Sequence, residues 1–243
     1  MNIRFNVHSQ YIKGRYNICN YNYKEVTMFK LVIFDLDGTL VNSIFDLGDS
    51  VNYVLEEEGL PCFDYETYKH FVGNGTAKLI ERALPEGMRN KENIESFHKR
   101  FAEQYQKRCL DKTKPYEGIT EVLKSLKEKG IKIAVASNKP DQFAGFIVRS
   151  IFGEGCFDMV LGKREGVPTK PDPAIINDIL AELGAEAEQT LIVGDSDVDV
   201  ITAHNAGIKC IGCEWGFRGR EELETAGADI IISRPEELNE LFR

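Results

Sequence analysis

Short apolar runs separated by longer amphipathic stretches organise this chain. Leu31-Val32-Ile33 is the first such run; others fall near 131–136, 157–161, 190–194, 208–212 and 229–232. Their length and composition predict buried strands, with helices between the later ones. Such alternation argues for a parallel sheet covered on both faces. After the first run the period changes. Ile44, Leu47, Val51, Val54 and Leu55 fall on one helix face, closed by Gly59 and Pro61, and further helices are predicted near 76–84 and 91–109. Residues 111–118, Asp-Lys-Thr-Lys-Pro-Tyr-Glu-Gly, read as a linker. The expected architecture is therefore α/β: a Rossmann-like parallel sheet built from 28–43 and 115–243, with an inserted helical cap at 44–114. Hinges are expected near 42–46 and 111–118.

The strand ends carry the candidate chemistry. Leu31-Val32-Ile33 runs directly into Phe34-Asp-Leu-Asp-Gly-Thr-Leu40. Asp35 and Asp37 stand two apart, a spacing that puts both side chains on one face of a strand. Gly38 permits a sharp turn or close approach to an anion. A carboxylate pair at this place suits a hard cation such as Mg²⁺, or nucleophilic attack beside a neighbouring acid. The plain alternative is a surface turn, since Asp-Gly is a common turn dipeptide. The run at 131–136 ends in Ser137-Asn138-Lys139, Lys170 stands in Lys170-Pro171-Asp172-Pro173, and the run at 190–194 leads into Asp195-Ser196-Asp197-Val198-Asp199. In an open parallel sheet ligands bind outside the carboxyl ends of the strands, so these segments are expected to meet.

The order of DxDGT, a hydroxyl after a second strand, Lys-Pro and GDxxxD resembles the haloacid dehalogenase-like (HAD) phosphatase superfamily, from about residue 28 to the end of the chain. Within it, Asn42-Ser43 with Asp46-Leu47, Val72-Gly73-Asn74-Gly75 with Glu81-Arg82-Ala83-Leu84, and Trp215-Gly216-Phe217-Arg218 are similar to the phosphoglycolate phosphatases. Asn42 departs from the Asp frequent in that family. The resemblance implies a Mg²⁺-dependent phosphatase acting on a small phosphorylated metabolite through an aspartyl-phosphate. Asp35 would be the nucleophile, Asp37 the general acid and base, and Lys170 the charge-neutralising cation. Mg²⁺ would be bound by the Asp35 carboxylate, the Asp37 main-chain carbonyl and the Asp195 carboxylate. Gly38, Thr39, Ser137 and the amide of Asn138 would hold substrate, and Asp199 would orient Lys170 or a metal-bound water, or ligate directly. A pyrophosphatase, nucleotide phosphatase or sugar phosphomutase would use the same core residues. The rival of a different class is a non-catalytic interaction protein on this fold.

Gly73-Asn74-Gly75-Thr76-Ala77-Lys78 lacks the third glycine and the preceding strand of a dinucleotide fingerprint. It reads as a loop opening a helix, with Thr76 as N-cap; Gly75 and Thr76 there either meet a substrate carboxylate or simply start the helix. Lys139, Asp197 and His204 read as surface residues. Cys210-Ile-Gly-Cys213 is a lone CxxC with no second pair and reads as part of a buried strand.

Charge narrows the partners. Thirty basic against 39 acidic residues give −9, which disfavours nucleic acid. No stretch is long enough to span a membrane, no signal peptide opens the sequence, and the six cysteines show no disulfide framework, so a cytoplasmic monomer or homodimer is expected. Residues 1–27 differ from the rest: they are rich in Asn and Tyr and carry +3, leaving −12 on 28–243. No helical or strand period persists there. Lys24-Glu25-Val26 can be encoded by a ribosome-binding sequence, and translation is expected to start at Met28.

Overall fold

The computed structural model describes residues 29–242. The 1–27 extension and the expected start at Met28 lie outside the described residues. β1 (Leu31–Phe34) is followed by a short strand β2 (Val41–Asn42) and then by helices α1 (Ile44–Glu57), α2 (Tyr65–Phe71), α3 (Thr76–Ala83) and α4 (Lys91–Arg108). β3 (Lys114–Pro115) returns the chain to α5 (Ile119–Glu128), β4 (Lys132–Pro140), α6 (Asp141–Phe152), β5 (Met159–Lys163) and α7 (Ala174–Leu183). β6 (Thr190–Gly194), α8 (Asp197–Ala206), β7 (Lys209–Cys213), α9 (Arg220–Ala226), β8 (Ile230–Ile232) and α10 (Glu237–Leu241) complete it.

The six strands of the main sheet run parallel in the order β5-β4-β1-β6-β7-β8. The expected α/β parallel-sheet fold with a helical insertion is what the structure has. β1 pairs with β4 on one side (Leu31↔Lys132) and β6 on the other (Leu31↔Thr190). All four β1 side chains are fully buried because both faces are covered. Period-two alternation divides them: Val32 and Phe34 join a core that also takes in the inserted helices, whereas Leu31 and Ile33 join a second core with α7 and α8. Chain direction on the sheet changes about β1, so the ends of β1, β4 and β6 open on one crevice.

Two local features depart from the sequence reading. The α2 helix was not anticipated. Its pattern is only seven residues long, and Tyr68 alone in it is buried. Asp64 caps it through a bond from the Thr67 amide (2.8 Å). Secondly, β4 continues to Pro140, with a register irregularity between Ala136 and Pro140, so Ser137, Asn138 and Lys139 belong to the strand end rather than to a loop beyond it.

The two connections of the insertion are tied to each other. β2 and β3 pair antiparallel, Val41 with Pro115 and Asn42 with Lys114. Asp46, buried on the first turn of α1, accepts bonds from the Lys112 amide (3.0 Å to each oxygen) and from the Thr113 amide (2.8 Å) and hydroxyl (2.7 Å). No helix among the described residues is long and apolar enough to cross a membrane.

Candidate active site

Strand ends deliver Asp35, Ser137, Asn138, Lys139 and Asp195, while Lys170 and Asp199 come from the loop before α7 and the first turn of α8. β1 stops at Phe34, so Asp35 emerges at the crevice and is still nine-tenths buried. Lys170 reaches across from the loop before α7 and donates to Asp35 Oδ1 (2.8 Å), Asp199 Oδ1 (2.7 Å) and the Ala136 carbonyl (2.8 Å). Its three ammonium donors are thus fully used. Burial opposes its charge, yet Asp199 and Asp35 together hold the Lys170 ammonium above its ordinary pKa. Asp199 is fixed at the start of α8, where its other oxygen accepts from Ser196 Oγ (2.8 Å) and the Ser196 amide (3.3 Å) in a capping box.

Asp195 follows β6 and accepts from the Phe217 amide (2.7 Å), with Thr39 Oγ1 at 3.5 Å. Gly38 (φ 94°) lies against it so closely that a Cβ there would sit 2.3 Å from Asp195 Oδ2. Only glycine combines that left-handed conformation with that approach. Thr39 itself is fully buried and turned to Asp195, rather than lining the crevice as a substrate residue would.

Asp35, Asp195 and Asp199 present oxygens that all lie within 4.8 Å of one another. Burial pushes Asp35 up to about 7, with Lys170 opposing and Asp199 and Asp37 reinforcing the rise. Burial, with Asp199 and Asp35 beside it, likewise pushes Asp195 well above the usual carboxylate range. Three clustered carboxylates face a single lysine, so the group lacks positive charge. A hard divalent cation with oxygen preference fits this donor set.

Asp37 points elsewhere. Its carboxylate accepts from Ser43 Oγ (2.5 Å) and from Lys139 Nζ (3.0 and 2.9 Å). The sequence reading placed Lys139 on the surface; it is instead 3% exposed, with Nζ 4.7 Å from the centroid of the Tyr105 ring. The available signal was its spacing: Lys139 stands two residues beyond Ser137, a period that shares a face once the strand is known to continue.

The crevice has two lobes. One, of about 400 Å³, is lined by Asp35, Asp37, Ser137, Asn138 and Lys139 from the sheet and by Leu47, Val72, Gly75, Thr76 and Leu79 from the insertion. The other, of about 280 Å³, includes Lys170, Asp195, Asp199 and Arg218. Gly75 rather than Thr76 caps α3, with φ 85°, while the Thr76 hydroxyl is paired with His98 Nε2 at 2.7 Å. Asn138 Nδ2 donates to the Gly73 carbonyl (3.0 Å), and Arg218 Nη2 to that of Val72 (2.8 Å), so the end of β4 and the loop after β7 hold the insertion over the site. His204 is exposed and Asp197 is the first residue of α8. Cys210 and Cys213 are fully buried in β7.

Known proteins are similar to this chain over most of its length. The family model for haloacid dehalogenase-like hydrolases matches residues 32–213. A phosphoglycolate phosphatase of Haemophilus influenzae is 36% identical over 212 residues, covering 85% of this chain and 95% of its own. One from Aquifex aeolicus is 34% identical over 213 residues, covering 88% and 96%. A candidate phosphoglycolate phosphatase from Lactobacillus delbrueckii subsp. bulgaricus superposes with a TM-score of 0.84 at 31% identity, covering 88% of this chain and 98% of that one. CbbY of Rhodobacter sphaeroides, solved with phosphate, superposes with a TM-score of 0.75 at 26% identity, covering 87% and 96%. By its sequence, its sheet order and the carboxylates at its strand ends, the chain belongs to the haloacid dehalogenase-like hydrolases.

Proposed function

We propose that this chain is a Mg²⁺-dependent phosphatase of small phosphate monoesters, with 2-phosphoglycolate as its substrate and Asp35 as its nucleophile. One observation carries the reading: Asp35 stands at the crevice with Lys170 on one oxygen, while Asp37 is held apart by a separate set of partners. Two carboxylates in different settings suit two roles, attack and proton transfer. The relatives' activity, over nearly their whole length, supports the substrate class.

In this mechanism an Asp35 oxygen attacks phosphorus as the bond from phosphorus to the ester oxygen breaks. Asp37 delivers a proton to the departing alkoxide. Water then attacks the phosphorus of the acyl phosphate, Asp37 takes its proton, and Asp35 and inorganic phosphate are released. Lys170 holds Asp35 in place and offsets the charge of the incoming phosphoryl group. Asp199 fixes Lys170, and the Ser137 hydroxyl and Asn138 amide receive phosphate oxygens. The Asp35 and Asp195 carboxylates and the Asp37 main-chain carbonyl would hold Mg²⁺, which when bound supplies Lewis-acid stabilisation of the phosphoryl oxygens. The insertion acts as a cap that excludes bulk water, and Gly75 and Thr76 face the organic end of the substrate.

The test is phosphate release from a panel of small esters with wild type and Asp35→Asn, in Mg²⁺ and after EDTA. Asp35→Asn is expected to lose at least about a thousandfold in kcat, the usual scale for a missing nucleophile, and EDTA to silence the wild type. Residual activity of Asp35→Asn above roughly 1% would rule out the covalent mechanism on that same scale.

A further inference from the structure

Lys139 is a buried cation that the mechanism above does not use. Its side chain is 1% exposed, and it lies on β4 in the lobe where the organic end of a substrate would sit. Lys170, by contrast, already serves three acceptors and lies in the other lobe. Among the described residues, every hydrogen bond of the Lys139 ammonium goes to one group, the Asp37 carboxylate. An ammonium has three donors, so one remains beyond the two given to Asp37, on a side chain that lines the crevice and lies beside the Tyr105 ring.

We propose that Lys139 binds the carboxylate of a carboxylated substrate. The substrate's acid group takes over the ammonium that holds Asp37, and this exchange frees Asp37 to reach the leaving oxygen. The inference rests on the phosphatase reading and names how that site selects its substrate.

Three observations lead there. The first is charge. A carboxylated phosphate ester must enter beside Asp35, Asp37, Asp195 and Asp199, and Lys170 is committed to Asp35 and Asp199. Lys139 is the lysine lining the lobe next to Asp37, and Arg218, which lines the other lobe, is engaged with the Val72 and His70 carbonyls (2.8 and 3.3 Å). The second is distance. Asp37 must come within roughly 3 Å of the leaving oxygen to move its proton. Lys139 Nζ is 2.9 to 3.0 Å from the two Asp37 oxygens, so it stands one hydrogen-bond length further on. In a 2-phospho acid the carboxyl carbon is bonded to the carbon that bears the leaving oxygen, which places the acid group at that reach. The third is the lining. Leu47, Val72 and Leu79 form the apolar part of this lobe, which leaves Lys139 and the start of α3 to receive an anion.

The exchange makes the anionic leaving group the trigger. A neutral ester lacks the competing carboxylate and leaves Asp37 on Lys139. The experiment compares kcat/KM for 2-phosphoglycolate and for ethyl phosphate, which has the same two carbons without the acid. Wild type, Lys139→Gln and Lys139→Arg are compared as folded, Mg²⁺-loaded enzymes. Gln keeps a donor for Asp37 but no charge. Lys139→Gln should slow phosphoglycolate and cut the selectivity ratio by about 10- to 100-fold, the scale of one charge-assisted hydrogen bond, and Lys139→Arg should restore most of it. Equal losses on both esters would overturn the proposal and leave Lys139 acting only through Asp37. A wild type without preference for phosphoglycolate would also overturn it while the phosphatase reading stands. Hydrolysis of no ester would sink the phosphatase reading instead. Calorimetric binding to Asp35→Asn then decides the present one. Tighter binding of phosphoglycolate than of ethyl phosphate, lost on adding Lys139→Gln, supports it; equal binding overturns it.

Discussion

At the scale of the residue, the site is defined by carboxylates whose surroundings differ. Asp35 sits where burial favours its neutral form, up to about 7, against an ordinary carboxylate near ~3.9 in the unfolded chain. A folded-state value raised in this way contributes stability that is full below the unfolded value and lost as pH rises through the folded one. In metal-free protein, Asp35 therefore costs stability increasingly between about pH 4 and 7. Asp35→Asn removes that cost, while Lys170 keeps Asp199 and the Ala136 carbonyl as acceptors. Thermal melts in EDTA should show the variant gaining stability relative to wild type as pH rises toward 8, with the gap closing toward pH 4. A gap that does not change with pH would show that burial does not raise Asp35.

At the scale of the element, the insertion is anchored by a single buried side chain on α1. Asp46 accepts from the Lys112 amide, the Thr113 amide and the Thr113 hydroxyl, joining the outgoing helix to the returning strand β3. Truncating it strands the Thr113 amide and hydroxyl in a buried place and the Lys112 amide in a partly buried one, and each buried group costs about 1–3 kcal/mol. Asp46→Ala should destabilise the protein by about 2–5 kcal/mol in urea titration on that basis, and Asp46→Asn, which keeps an acceptor, by less. An alanine variant as stable as wild type would mean that water replaces these bonds without loss.

At the scale of the whole molecule, contacts from the end of β4 and the loop after β7 fix how the insertion sits over the crevice. Asn138 and Arg218 donate to the carbonyls of Gly73 and Val72, in the segment just before α3. Tyr105 on α4 packs edge-on against Phe143 on α6 at 5.4 Å, a third bridge between the two parts. Arg218→Ala removes the longest-reaching of these ties, together with an ion pair to Glu222 (3.7 Å). Amide exchange across residues 70–76 should quicken by about tenfold or more, consistent with losing one or two charge-assisted bonds, and KM should rise more than kcat falls. Unchanged exchange there would show that Phe143 and Asn138 hold the insertion closed by themselves.

The sequence by itself determined the strands, their parallel arrangement and the identity of the polar groups at their ends. The reason is local: an apolar run buried on both faces needs no distant information to be read, and Asp35 and Asp195 directly follow such a run, Lys170 precedes a helix and Asp199 lies in the first turn of one. Which partner each group takes was not legible, because partners lie far apart in the chain. Lys170 meets Asp35 across 135 positions, and Lys139 meets Asp37 across 102. Lys139 read as a surface residue because charge at a strand end usually finds water. Only the tertiary structure closed α4 over it, putting the Tyr105 ring on its ammonium and leaving Asp37 as its counter-charge.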